Sequence, residues 1–336
     1  MIRKILVTVV SAVFVFSASA LAAPTIKLAH VDPADWQSSK KGAASVIFKN
    51  IVEGESDMKV ELFPAKALGD ENDLVQQMQD GTLQMAMVSG AMAKICKVAD
   101  VLNIPYTFPS APVAWDVMDG PFGKELGDYC LQKSGLRTLA YGETGYRNFT
   151  NGKREIRTPA DMKGLKFRVQ PIPLYVEMVK GLGGEPAPIA WSELPNALAT
   201  GVVDGQENPV GVIYNNKLHK LQKYMTLDGH VYAVDFILIN EDFFKSLTDK
   251  QQALVKKAAR TAGLMGRAIQ EFNTAEGVTK VVAEGMQVYS PSAAELKQFK
   301  DAAQPAVVKW LRGELGTEAV WIDKLQKAVS VAEKNQ

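Results

Sequence analysis

A chain of 336 residues exceeds what one hydrophobic core usually organises, so two domains are expected. With 47% hydrophobic and 22% charged side chains, its composition is that of a globular protein, not a disordered one. A formal charge of +1, from 38 basic and 37 acidic residues, excludes the basic footprint that nucleic acid or an anionic membrane requires.

The chain opens on Met1-Ile2-Arg3-Lys4, an apolar run over 5–16 and small residues over 17–23, which is the order of a secretory signal peptide. Cleavage is expected after Ala20-Leu21-Ala22, giving a signal peptide of 1–22, with Ala18-Ser19-Ala20 as the second choice. The apolar run is shorter than a spanning helix needs, and no cysteine stands at the cleavage site to carry a lipid. Loss of Arg3 and Lys4 leaves 36 basic against 37 acidic side chains, so any anion must be held by a local arrangement. Export to the periplasm also favours a disulfide between Cys96 and Cys130, with two buried thiols as the alternative.

Strand-like runs at 25–31, 59–63, 84–88, 136–141, 165–170, 202–207, 232–240 and 286–290 alternate with amphipathic segments. That is an α/β pattern. Thr158-Pro159-Ala160-Asp161 has the residues of a helix start, and Ser192 can cap a segment through Ala199 that Gly201 ends. Thr248 with Gln251, and Ser292 with Glu295, form capping-box pairs. From Thr248, the residues Leu254, Ala258, Ala262, Met265, Ile269 and Phe272 mark one apolar face. The pattern runs without proline towards Glu284, roughly 50 Å of helix if unbroken. Such a helix is long enough to brace two lobes, and Gly263, Gly266 and Gly277 are its expected bending points.

No catalytic or cofactor-binding constellation is legible. His30, His219 and His230 have no metal-ligand spacing, and neither cysteine lies in a CxxC pair. A Gly-x-Ser-x-Gly elbow and a phosphate-binding glycine loop are both lacking, so neither an enzyme nor a cofactor is expected. One arginine stands out. Alternation in 165–169 puts Leu165, Phe167 and Val169 on one side and Lys166 and Arg168 on the other. Arg168 thus leaves a strand beside the turn Gln170-Pro171-Ile172-Pro173, a rigid place for a guanidinium that meets a carboxylate as a fork. A surface arginine paired with a neighbouring acid is the alternative.

The stretches Gly145-Tyr-Arg-Asn-Phe-Thr-Asn151, Asp161-Met-Lys-Gly-Leu-Lys-Phe-Arg-Val169 and Gly201-Val-Val-Asp-Gly-Gln-Glu-Asn-Pro209 resemble a family signature. Leu68-Gly69-Asp70, Gln79-Asp80-Gly81-Thr82-Leu83, Ile104-Pro105-Tyr106, Ala190-Trp191-Ser192-Glu193 and Ala197-Leu198-Ala199-Thr200-Gly201 complete it in order. The family is that of the DctP-type solute-binding proteins of tripartite ATP-independent periplasmic (TRAP) transporters, and the likeness runs from about residue 25 to the final helix. It implies a type II periplasmic-binding-protein-like α/β fold, with two lobes around a ligand cleft and a long helix bridging them. Lobe I is expected at 24–144 plus 234–273 and lobe II at 145–233 plus 274–325, with 326–336 as a C-terminal tail or helix end.

By the same resemblance Arg168 forms the salt bridge to a ligand carboxylate, Arg147 reaches that carboxylate as a second arginine, and Asn208 fixes the arrangement. Trp191 takes the aromatic position beside the ligand, while Glu71 and Ser89 stand where members differ. His30, Trp36 and Phe236 join the candidate lining; Tyr146, Phe149 and Tyr232 lie near it in sequence, and filling the two cores is the reading held for each of these rings except Trp191. The chain reads Arg168-Val169-Gln170-Pro171 where many members have Arg-Val-Pro, so a displaced turn is expected. An aromatic lining would suit a monocarboxylate with an apolar or aromatic body, such as an aromatic 2-oxo acid. A C4-dicarboxylate or a sugar acid is the alternative. The implied partner is a TRAP membrane permease; a sensor kinase or chemoreceptor would use the same ligand site.

Overall fold

In the computed structural model, which describes residues 23–336, the chain begins by alternating strands and helices. The predicted signal peptide, 1–22, lies outside the described residues. The first elements are β1 (Thr25–His30), α1 (Lys40–Glu55), β2 (Lys59–Phe63), α2 (Glu71–Gln79) and β3 (Met85–Val88). β1 runs parallel to β2 on one side and β3 on the other, with Ile26, Leu28 and Ala29 wholly buried. Parallel strands covered on both faces carry such apolar runs.

Next come α3 (Met92–Ile95), a 3-10 turn over Lys97–Asn103, α4 (Ala111–Asp119) and α5 (Pro121–Ser134). Cys96, at the end of α3, is disulfide-bonded to Cys130 of α5 across a Cα separation of 5.4 Å. β4 (Leu136–Asn151), β5 (Lys166–Val169), α6 (Pro173–Gly181), β6 (Glu185–Pro188), α7 (Leu194–Ala199), β7 (Gly205–Asn208) and α8 (Val210–Asn215) lead into the second lobe. β8 (Tyr224–Asn240) returns, followed by α9 (Glu241–Ser246) and α10 (Asp249–Ala283). β9 (Gln287–Tyr289), α11 (Ala293–Leu315) and α12 (Val320–Glu333) complete the fold.

The strand order is β2-β1-β3-β8-β4-β7-β5-β6, with β9 on β8. β4 and β8 pair antiparallel along their length and serve both lobes. The 236–239 end of β8 meets β3, while its 224–226 end meets β9. The β4–β8 register slips between Glu143 and Gly145, and such bulges bend and twist a ladder. Gly145 has φ +99° there, a backbone that calls for glycine, and a Cβ on it would also press on the Gln270 side chain, 2.8 Å from Nε2.

The strands predicted at 136–141 and 232–240 are therefore much longer than their apolar runs. Their extensions carry Glu143, Thr144, Arg147, Asn148 and Asp228, all buried. β6 escaped prediction because Pro186 and Pro188 argue against a strand; it lies at the sheet edge, where proline is tolerated. Ser192 does not cap α7. It sits in a 3-10 turn over Trp191–Glu193, and its hydroxyl donates to Asp70 Oδ2 at 2.6 Å.

The capping box at Thr248 and Gln251 opens α10, whose 35 residues run unbroken for about 52 Å. Its buried stripe is not the predicted one. Ala258 and Ala262 are buried, but Phe272 is 55% exposed. Gly263, Gly266, Arg267, Gln270, Asn273 and Gly277 continue the buried face instead. The glycines are points of close approach, not bends: a Cβ on Gly263 would meet the Tyr141 carbonyl oxygen at 2.7 Å, and one on Gly277 would meet Val210 Cγ1 at 2.8 Å.

α11 follows its predicted box and packs on α6, where Gly181 faces the Ala302 carbonyl. α12 returns to the first lobe, with Trp321 edge-on to Phe122 at 5.9 Å and tilted on Tyr129 at 5.2 Å. The boundary expected between 325 and 326 falls inside this helix. Among the described residues, no helix is long and apolar enough to cross a membrane and no group of side chains could hold a metal ion.

Candidate ligand-binding cleft

Strands β1, β3, β5 and β7 all end on a cleft of about 520 Å³ between the lobes. Ligands of open α/β sheets sit at such carboxyl ends. Asp32, Lys40, Lys41, Asp70, Glu71 and Ser89 line it from the first lobe; Arg147, Arg168, Gln170, Trp191 and Asn208 line it from the second.

Arg168 is 1% exposed in β5. Its Nε donates to the Ile189 carbonyl at 2.9 Å, and its guanidinium carbon lies 5.8 Å from the centre of the Trp191 ring. Its Nη1 is buried without a hydrogen-bond partner. No carboxylate among the described residues comes within ion-pair distance of it. Burial pulls its pKa down to about 10, with Glu207 opposing and Arg147 adding to the fall. A buried cation in this condition is costly until an anion meets it.

Arg147 is different, because its charge is already matched. Nη2 donates to Glu207 Oε1 at 2.8 Å and to the Glu207 carbonyl at 2.7 Å, and Nε also bonds the carboxylate. Burial would push Glu207 up, but the charge of Arg147 and hydrogen bonds from His230 and Arg147 outweigh it and hold it at about 2. His230 Nε2 is 3.2 Å from Glu207 Oε2, and its Nδ1 is 2.9 Å from Asp228 Oδ2. Burial opposes the charge on His230, yet Asp228 and Glu207 raise it to about 9. Phe149 stacks on this imidazole at 4.2 Å, and the Tyr106 hydroxyl donates to Asp228. Four buried charges thus alternate in sign behind the cleft.

The first-lobe wall is a second network. Glu71 accepts from the Ser89 backbone N–H at 3.0 Å through both oxygens and from Lys41 Nζ at 2.9 Å. Lys41 also lies 3.3 Å from Asp235 Oδ1, and Lys40 lies 2.6 Å from Asp32 Oδ2. Burial would lower Lys41, but Asp235, Glu71 and Asp32 hold it above the usual lysine range. Thr144 donates to Asp235 at 2.6 Å.

The structure thus gathers Arg168, Arg147, Asn208, Trp191, Glu71 and Ser89 on one cleft and leaves three candidates out. His30 is buried with Nε2 3.4 Å from Ser45 Oγ, and burial lowers it to about 4. Trp36 stands 52% exposed on its loop. Phe236 packs edge-on against Tyr141 at 5.3 Å in the core. Tyr146, Phe149 and Tyr232 also lie off the lining, whose rings are Trp191 and Trp310; Pro171, Ile172, Pro173 and Val212 join these beside the charged groups. Sequence reasoning missed Glu207, Lys40, Lys41 and Asp235 as parts of the site. The lysines did carry a signal, since two cations in the first turn of a helix oppose its dipole and need another reason to be there.

Two lobes joined by crossing strands, with a cation buried at the strand ends, define a solute receptor of the type II periplasmic-binding-protein class. Residues 29–313 match the family described as bacterial extracellular solute-binding protein, family 7. A solute-binding protein of Verminephrobacter eiseniae is 36% identical over 255 residues, covering 75% of this chain and 76% of the relative. The sugar acid binding protein DctPAm from Advenella mimigardefordensis, in complex with galactonate, superposes with a TM-score of 0.87 at 30% identity, covering 92% of this chain and 99% of that one. A TRAP periplasmic solute binding protein from Polaromonas sp JS666, bound to D-erythronate, gives a TM-score of 0.83 at 31% identity over 90% and 98%. The chain belongs to this family, the DctP-type receptors of TRAP transporters.

Proposed function

We propose that this protein is a periplasmic receptor that captures a small hydroxylated carboxylate on Arg168 and hands it unchanged to a TRAP membrane permease. The observation that carries this reading is the buried Arg168 guanidinium, whose Nη1 faces no protein acceptor on a cleft large enough for a small acid. A ligand carboxylate supplies the missing acceptor as a charge-assisted pair. Asn208, whose side chain bonds Gln206 at 2.6 Å, holds the neighbouring strand end, and Arg147 adds its remaining N–H groups from a neutralised pair. Trp191 covers one side of the bound anion.

The Asp70, Glu71, Asn72 and Ser89 side of the cleft supports a hydroxylated ligand body, because buried hydroxyls need such partners, while Trp191, Ile172 and Trp310 give its carbon skeleton an apolar bed. Galactonate in the Advenella protein and D-erythronate in the Polaromonas protein are acids of that kind. Lobe I at 24–144 plus 234–273 and lobe II at 145–233 plus 274–325 would then close around the ligand, the bulge at Gly145 lying at their junction. Calorimetry with a series of hydroxy and sugar acids tests the reading. Arg168→Ala is expected to abolish micromolar binding and Arg147→Ala to weaken it less; wild-type affinity in Arg168→Ala would overturn it.

A further inference from the structure

We infer that the cleft selects acids with a single negative charge and rejects dicarboxylates of the same skeleton. This rests on the hydroxy-acid reading of the site, and it follows from how the charges of the cleft are distributed. On the second-lobe side, Arg147 is cancelled by Glu207 and His230 by Asp228, leaving Arg168 as the one unmatched buried cation among the described residues. The first-lobe wall has the opposite imbalance. Lys40 and Lys41 face three carboxylates, Asp32, Asp235 and Glu71, within 4.0 Å. Both lysines are 5% exposed or less, and Asp32 and Glu71 are 17% and 16% exposed, so solvent screens this excess weakly.

Asp70 adds a further carboxylate to the lining. Its Oδ2 accepts from Ser192 across the cleft, and its Oδ1 is buried without a donor. Of the remaining lysines on the lining, Lys97 is paired with Glu314 and Lys94 is exposed to solvent. The cleft is therefore polarised, with one free cation in the second lobe and surplus carboxylate in the first. A ligand with its carboxylate on Arg168 presents its body to that wall. Hydroxyls there donate to surplus oxygens such as Asp70 Oδ1. A second carboxylate there meets surplus like charge at short range, and the unpaired lysine of that wall, Lys94, is turned to solvent.

Paired ligands of one skeleton test this directly: galactonate against galactarate, and glycerate against tartronate, titrated calorimetrically into the purified protein after bound molecules are stripped. The monocarboxylate of each pair is expected to bind about 100-fold tighter or more. Asp235→Asn, which removes one surplus charge from behind the lining, is expected to narrow that ratio about tenfold. Asp32→Asn provides the same measurement if the first variant does not fold. Equal affinities within pairs, or tighter dicarboxylates, overturn the selection and leave the hydroxy-acid receptor standing. An unchanged ratio in the variants removes the Lys40–Lys41 cluster as its cause. Failure of every acid to bind overturns the receptor reading and the selection together.

Discussion

Arg147 grips Glu207 by side chain and main chain at once, with hydrogen bonds to both carboxylate oxygens and to the carbonyl. The pair ties β4 to β7 beneath the ligand cleft. Removing one member strands the other charge without water. Arg147→Ala is expected to lower stability by about 3–5 kcal/mol, measured by urea unfolding. An effect below about 1 kcal/mol would mean that His230 alone satisfies Glu207.

Arg168→Leu should behave in the opposite way. The wild-type guanidinium is buried without a carboxylate, so a shorter apolar side chain removes an uncompensated charge. The ligand-free variant is expected to be as stable as wild type, or more stable by about 1–2 kcal/mol, while binding is lost. Strong destabilisation would place the counter-charge of Arg168 in the protein itself.

Two buried groups make stability fall as pH rises. His230, raised to about 9, stabilises fully below its ordinary 6.5, and that contribution is lost as pH passes through 9. Glu143, raised by burial and by Glu271 to about 8, keeps its proton in the folded state while the unfolded chain releases it above 4.5. Stability therefore declines between 4.5 and 8 on its account and levels off above. Tm is expected to drop between pH 6.5 and 9, with Glu143→Gln flattening the part below 8. A Tm independent of pH over that range would contradict both assignments.

The disulfide closes a loop of 34 residues in the first lobe. Its loss should cost about 3–4 kcal/mol in the chain-entropy model, whether by reductant or by Cys96→Ala with Cys130→Ala. Ligand affinity is expected to change little, since neither cysteine lines the cleft. Chemical denaturation and calorimetry of the double variant measure the two separately.

Two glycines of α10 make a controlled pair. A Cβ at Gly263 would press on the Tyr141 carbonyl at 2.7 Å, whereas one at Gly266 would find ordinary contact with the Lys40 carbonyl at 3.5 Å. Gly263→Ala should destabilise by about 1–3 kcal/mol. Gly266→Ala should stabilise by about 0.5–1 kcal/mol through helix propensity. Equal thermal shifts in the two variants would show that packing at Gly263 relaxes freely.

What was legible in the sequence was local. Strand alternation turned Arg168 away from Phe167, and capping residues marked the starts of α10 and α11. What was hidden depended on partners far along the chain. Glu207 lies 60 residues from Arg147, and Asp235 meets Lys41 only after β8 has returned beside β4. Phe236, a candidate for the lining, was hidden for the same reason. Asp235 points to the lysines, so its strand neighbour Phe236 must point to the other face, into the core against Tyr141. Nearness to the cleft in sequence did not decide the face.

The glycines of α10 bear on how such a molecule moves. At its far end the helix meets α8 as peg into socket, since the Val210 side chain fills the space over Gly277 and the Asn273 side chain the space over Gly211. Ridges that interlock must be lifted out of their grooves before two helices can shift. Here each helix supplies one tooth and one glycine notch. The seam keys α8 to α10, so a movement that parted them would first have to draw both side chains out of their notches.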